Sequence, residues 1–153
     1  MPTFALNFSR PGAQVAAQYY NFLRLGFDGY RRVQGYARLV ATRLSARFAE
    51  LGPFELVTAG DELPVFAVKV RDEITNFTVF DVSRALRQDG WQVPAYTFPK
   101  NREDLAVLRV VVRRGFTHDL ADMLVDDLTR ALRHLEKQPV PVHDESTASA
   151  FHH

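Results

Sequence analysis

The chain contains no cysteine, which excludes a disulfide framework, a thiolate metal site and a thiol nucleophile. Lysine is scarce: Lys69, Lys100 and Lys137 stand against 16 arginines. Chemistry that needs a lysine nucleophile therefore has three candidates. The longest apolar run falls well short of the ~18 residues that a membrane-spanning helix requires, so no membrane span is expected. The opening residues, MPTFALNFSR, lack the basic-then-apolar layout of a signal peptide. There is no P-loop, no Ser-His-Asp arrangement and no dinucleotide fingerprint; Gly12 and the Gly26/Gly29 pair do not make one.

What is present suits one globular domain, or part of a larger one: 153 residues, 46% hydrophobic and 24% charged. The net charge is only +1, but it is unevenly spread, with seven arginines against Asp28 and Glu50 in residues 1–50. A basic segment can signal nucleic acid. Here the arginines interleave with a continuous apolar stripe and form no compact block, so no nucleic-acid partner is predicted.

Ser9-Arg10-Pro11 reads as a helix start, with a hydroxyl to cap and proline in the first turn. From Val15 through Tyr19, Phe22, Tyr30, Val33, Ala37, Val40, Leu44 and Phe48 to Leu51, apolar or small residues recur in steps that predict one helical face over residues 11–51. Gly52-Pro53 ends it. A straight helix of that length would outgrow a small domain, so Gly26 and Gly29 are expected to mark a kink or a break. Strands are predicted over 54–59 and 65–71, then a helix opened by Thr78 and Asp81 and closed by Asp89-Gly90. Residues 92–97 read as extended, with Pro94 pointing to a sheet edge. Residues 105–112 are the clearest strand, and 117–136 form an amphipathic helix. The organisation expected is a connecting helix region (1–52), a small α/β domain of order β-β-α-β-β-α with helices on one face (53–137), and a polar, proline-containing tail (138–153). Tyr19, Tyr20, Phe22 and Phe27 cannot all face one small domain, so an exposed patch or a contact between copies is expected.

Arg109 is the residue most out of place. It sits mid-strand with Val107 and Val111 on its own face, where a guanidinium is costly unless an anion meets it. Two readings stand: an edge position or internal ion pair with Asp81 or Glu73, or an anion clamp. Arg113-Arg114-Gly115 reads as a solvated turn. Ser9 is read first as a cap, although a helix N-terminus also favours phosphate. Of the five histidines, His118, His134, His143, His152 and His153, none is predicted to bind metal. The terminal pair suits either a tag remnant or a plug that responds to pH near neutrality.

Four segments together resemble one family. Leu6-Asn7-Phe8-Ser9-Arg10-Pro11, then Gln18-Tyr19-Tyr20-x-Phe22-x-Arg24-Leu25-Gly26-x-x-Gly29-Tyr30, then Gly90-Trp91-Gln92-Val93-Pro94-Ala95-Tyr96 and Leu108-Arg109-Val110-Val111-Val112-Arg113-Arg114-Gly115-Phe116 resemble the C-terminal portion of glutamate decarboxylases, in order and at compatible spacing. Phe151-His152-His153 resembles the end of the bacterial members.

The resemblance implies the C-terminal domain of the aspartate-aminotransferase-like fold type I. It also implies a cytoplasmic, homo-oligomeric enzyme that uses pyridoxal phosphate to convert L-glutamate to 4-aminobutyrate and CO2, in support of acid resistance. Arg109 would bind the substrate carboxylate. Phe8 and Ser9 would reach the neighbouring subunit's cofactor, Ser9 near its phosphate, and contact between copies would run through the N-terminal helix region. His153, beside His152, would fold onto the cofactor as pH rises to neutrality. The family's Schiff-base lysine belongs to a Ser-x-His-Lys segment that this chain lacks, so the chain is expected to be inactive alone. Two alternatives remain: a free-standing amino-acid-binding module with Arg109 as carboxylate clamp, and a subunit that completes an active site on another polypeptide.

Overall fold

Apolar residues at three- and four-residue steps wind into α1, Ala13–Glu50, in a computed structural model that describes residues 11–137. The helix is capped by Gly12, whose carbonyl accepts the N–H groups of Val15 and Ala16 at 3.0 and 3.1 Å. The described helix thus begins later than Ser9-Arg10-Pro11 suggests. Ser9, Phe8 and Arg10 lie outside the described residues.

The expected kink falls at Gly26 alone, where φ 57° and ψ −173° lie in a region open essentially to glycine. Gly29 stays helical and buried, packed so closely that an added Cβ would lie 2.9 Å from the Leu25 Cβ. Before the kink the helix has little to pack on. Val15, Tyr19, Tyr20, Phe22 and Leu23 are all exposed, as is Phe27 just past the kink, in line with the surplus of aromatics in this segment. Beyond it, Ala37, Val40, Ala41, Leu44 and Phe48 are buried, so the second half of α1 shares a core with the strands.

Four strands follow: β1 Phe54–Thr58, β2 Val65–Val70, β3 Ala95–Thr97 and β4 Ala106–Val111. All neighbours are antiparallel, in the order β1-β2-β4-β3. Helix α2, Val79–Gln88, opens where the Asp81 carboxylate accepts both the N–H (2.8 Å) and the hydroxyl (2.7 Å) of Thr78. It closes at Gly90, φ +88°. Helix α3, His118–Leu135, is capped by the Thr117 hydroxyl, which accepts the Leu120 N–H at 3.3 Å.

Alternation decides which face of the sheet is covered. Phe54, Phe66, Val68, Leu108 and Val110 join Leu44, Phe48, Val82, Leu86, Leu124 and Leu128 in one apolar cluster, with all three helices on that side. Each large apolar side chain so buried contributes about 1.5–3 kcal/mol. The other face carries Val65, Ala67, Lys69, Tyr96, Val107, Arg109 and Val111, and no helix lies over it among the described residues. Pro94 keeps β3 at the edge, as expected, and shortens it. Pairing through strand residues starts at Ala95, although the Pro94 carbonyl still accepts the Arg109 N–H at 2.9 Å.

Candidate functional site

The site is built on the face of the sheet that the helices leave open. β4 lies between β2 and β3, so Arg109 is held from both sides: Ala67 is its partner on β2, and its own N–H bonds to Pro94 beside β3. The expectation of an edge position is thus overturned. The strand that reads as most apolar is an inner strand, because only an inner strand is paired along both of its edges. Neither suggested ion pair forms. Asp81 is committed to Thr78 and, at 3.8 Å, to Arg84, while Glu73 is exposed.

What meets the guanidinium is an aromatic ring. The Arg109 Cζ lies 5.4 Å from the centroid of Tyr96, inside the range of a cation–π contact. Tyr96 pairs with Val107 and so reaches Arg109 along the diagonal. Phe98 lies behind it, its ring 6.4 Å away and 10° from parallel. The Arg109 Nε is buried and has no hydrogen-bond partner among the described residues. A guanidinium pressed along a sheet, with an aromatic beside it and a donor unpaired, is suited to a planar acceptor such as a carboxylate.

Lys69 shares this face but not this role. Its ammonium lies 3.3 Å from Glu55 and 3.6 Å from Asp72. The hydrogen bond to Glu55 is the main cause that raises its pKa above the ordinary 10.5, with Asp72 adding to it. A Schiff-base lysine must shed its proton, so Lys69 is tuned in the wrong direction. Lys100 and Lys137 are exposed and stand apart from this face. The lysines of this chain therefore do not fit covalent attachment of pyridoxal phosphate.

A cleft of about 610 Å³ lies elsewhere, at the end of β4, lined by Trp91, Pro94, Arg113, Arg114, Phe116 and Leu120 among others; Arg109 is not part of it. Arg113 and Arg114 are exposed in a turn closed by Gly115, φ +89°, as a solvated turn predicts. At its wall the Trp91 indole N–H donates to Asp127 at 2.6 Å. That bond, followed by the contact with Arg130, holds the Asp127 carboxyl below its ordinary 3.8.

His118 sits against the Tyr36 ring and, at 3.5 Å, the Arg43 guanidinium. No cluster of metal-ligating side chains occurs among the described residues. His143, His152 and His153 lie outside them. Sequence reasoning missed Tyr96 and Phe98 as partners of Arg109. The signal was available in the aromatic pair at i and i+2 on a strand that begins beside Pro94, but without a register there was no way to set it opposite position 109. The Trp91–Asp127 bond joins residues 36 positions apart and left no local trace.

No protein-family model matches the chain. It is 44% identical over 156 residues to a glutamate decarboxylase of Aliivibrio fischeri, a match that covers 100% of this chain and 34% of the relative. To a glutamate decarboxylase of Solanum lycopersicum it is 46% identical over 138 residues, covering 90% and 27% respectively. Its structure superposes on the solved glutamate decarboxylase of Lactobacillus brevis with a TM-score of 0.83 at 40% identity, covering 92% of this chain and 32% of that one. The chain thus spans about a third of the length of the curated relatives it matches. By sequence over its whole length, and by the long helix followed by a β-β-α-β-β-α unit that matches the C-terminal part of fold-type I enzymes, this chain belongs to the glutamate decarboxylase family as a portion of it.

Proposed function

We propose that this chain serves as the C-terminal domain of a pyridoxal-phosphate-dependent glutamate decarboxylase, in which Arg109 binds a carboxylate of L-glutamate. One observation supports it above the rest: Arg109 stands on the uncovered face of an inner strand with its Nε buried and unpaired. The desolvation of such a donor costs about 1–3 kcal/mol until an acceptor arrives. A carboxylate meeting the guanidinium edge-on, in its plane, removes that cost and fixes the substrate's orientation through two parallel hydrogen bonds. The Schiff-base lysine and the cofactor's phosphate cradle would come from the part of the enzyme that this chain does not span. Release of CO2 and 4-aminobutyrate would then depend on both parts.

Homo-oligomeric contact through the exposed aromatic face of α1, Phe8 and Ser9 at a neighbouring subunit's cofactor, and a pH-dependent plug at His152-His153 belong to the same proposal. So does a cytoplasmic role in acid resistance. No described helix is long and apolar enough to cross a membrane.

The test is co-expression with a lysine-bearing N-terminal portion of a family member. Decarboxylation should appear with both portions and vanish when Arg109→Gln is introduced. Turnover by the purified chain with pyridoxal phosphate alone, or near-normal turnover of R109Q, contradicts the reading. A second reading, a free-standing amino-acid-binding module, is favoured by one observation: an apolar cluster that runs from Ala37 to Leu135 closes within this chain. Calorimetric titration of the chain with L-glutamate separates the two, because saturable binding without any second portion favours the module.

A further inference from the structure

We propose that Tyr96, backed by Phe98, is a positioning residue that sets the plane of the Arg109 guanidinium for carboxylate binding; the carboxylate part rests on the reading of Arg109 given above.

An arginine side chain has four rotatable bonds, and a bidentate carboxylate contact tolerates little error in the plane of its fork. Something must therefore hold the plane before the ligand arrives. Arg109 has no ion pair and no hydrogen bond through Nε among the described residues. The side chains of Ala67 and Val111 on the same face are apolar and short. The Tyr96 ring, 5.4 Å from Cζ, is the group that restricts it.

Tyr96 is itself well anchored. Its strand bonds to β4 at three successive pairs, Ala95–Leu108, Tyr96–Val107 and Thr97–Ala106, and the ladder continues through the Phe98 N–H to the Leu105 carbonyl at 2.9 Å. Phe98 lies nearly parallel to the Tyr96 ring, and the register sets it opposite Leu105, at the end of the ladder away from Arg109. A ring held by pairing below and stacking behind loses little entropy when it restrains a cation, which is the condition for preorganisation. The contact is made by the ring and not by the phenol: no hydrogen bond from the Tyr96 hydroxyl occurs among the described residues, so phenylalanine should serve in its place while an aliphatic residue should not.

The full 153-residue chain tests this, labelled with 15N, as wild type, Tyr96→Phe, Tyr96→Leu and Arg109→Gln. The Nε–Hε resonance missing from R109Q is that of Arg109. In wild type and Y96F it should be displaced by the ring current, and in Y96L it should return to the position of a free arginine. In the enzyme reconstituted by co-expression with the lysine-bearing portion, Y96L should lower the apparent affinity for L-glutamate about three- to tenfold, the range expected for loss of one cation–π restraint. Y96F should stay within about twofold. An unmoved Arg109 resonance in Y96L overturns the positioning role whatever the ligand does. The positioning role is equally overturned if Y96L binds glutamate as well as wild type while R109Q does not. If wild type and R109Q respond alike to glutamate, the carboxylate reading of Arg109 fails, and the resonance alone still decides whether Tyr96 holds the guanidinium.

Discussion

Replacing Arg109 by methionine should make this chain more stable while removing the carboxylate binding proposed for it. The unpaired Nε is the reason. An unsatisfied buried donor costs about 1–3 kcal/mol, and the cation–π contact with Tyr96 returns about 0.5–1 kcal/mol of it. Methionine keeps an unbranched stem to cover Val107 and Ala67 without any polar atom that needs a partner. The expected net gain is about 1 kcal/mol, which for a chain of this size raises the thermal midpoint by roughly 4 °C. Urea unfolding followed by far-UV circular dichroism and by the fluorescence of Trp91, the single tryptophan, should shift to higher midpoint at unchanged slope. Arg109→Ala is the control: it removes the donor and also the stem, and should fall below R109M. The reasoning is refuted if R109M is less stable than wild type by about 1 kcal/mol or more, because the guanidinium would then be a net structural asset. A site that sacrifices stability to keep an anion-ready group is the expected pattern for a functional residue.

Trp91→Phe should cost about 2 kcal/mol at neutral pH through loss of a hydrogen bond to a charged acceptor. Because Asp127 titrates below 3.8 in the folded chain, that stabilisation is fully present above 3.8 and fades as pH falls through the lower folded value, so wild type and W91F should converge in acid unfolding. Gly60→Ala should destabilise by about 1–3 kcal/mol in a thermal melt, since φ is +76° and the new Cβ would meet the Ala41 Cβ at 3.2 Å. Leu23→Glu with Phe27→Glu should lower self-association in sedimentation velocity without moving the unfolding midpoint, because both side chains are exposed and apart from the core.

Most of the element order could be read from local pattern. The periodicity of α1, the Thr78–Asp81 cap, the edge-forming proline at position 94 and the amphipathic face of α3 all act within a few residues, where propensity, capping and alternation operate. The start of α1 was less legible: the helix begins at Ala13, two residues after the proline taken as its first turn. Arg109 was legible as an anomaly from its apolar neighbours, but neither of its two readings included Tyr96.

The sequence by itself determined the family and the one candidate, Arg109, around which the site is built. Motifs at compatible spacing identified the chain, and a lone arginine within an apolar strand stood out as the anomaly on which the proposal rests. The scarcity of lysine showed that covalent cofactor chemistry has few places to reside. Tertiary structure alone decided the rest. Strand order made β4 an inner strand, register set Tyr96 diagonal to Arg109, and ion pairing with Glu55 and Asp72 tuned Lys69 away from nucleophilic chemistry. Each of these depends on pairing between segments distant along the chain, and a pattern with a period of two along a strand says which side chains share a face but not which strand lies beside them.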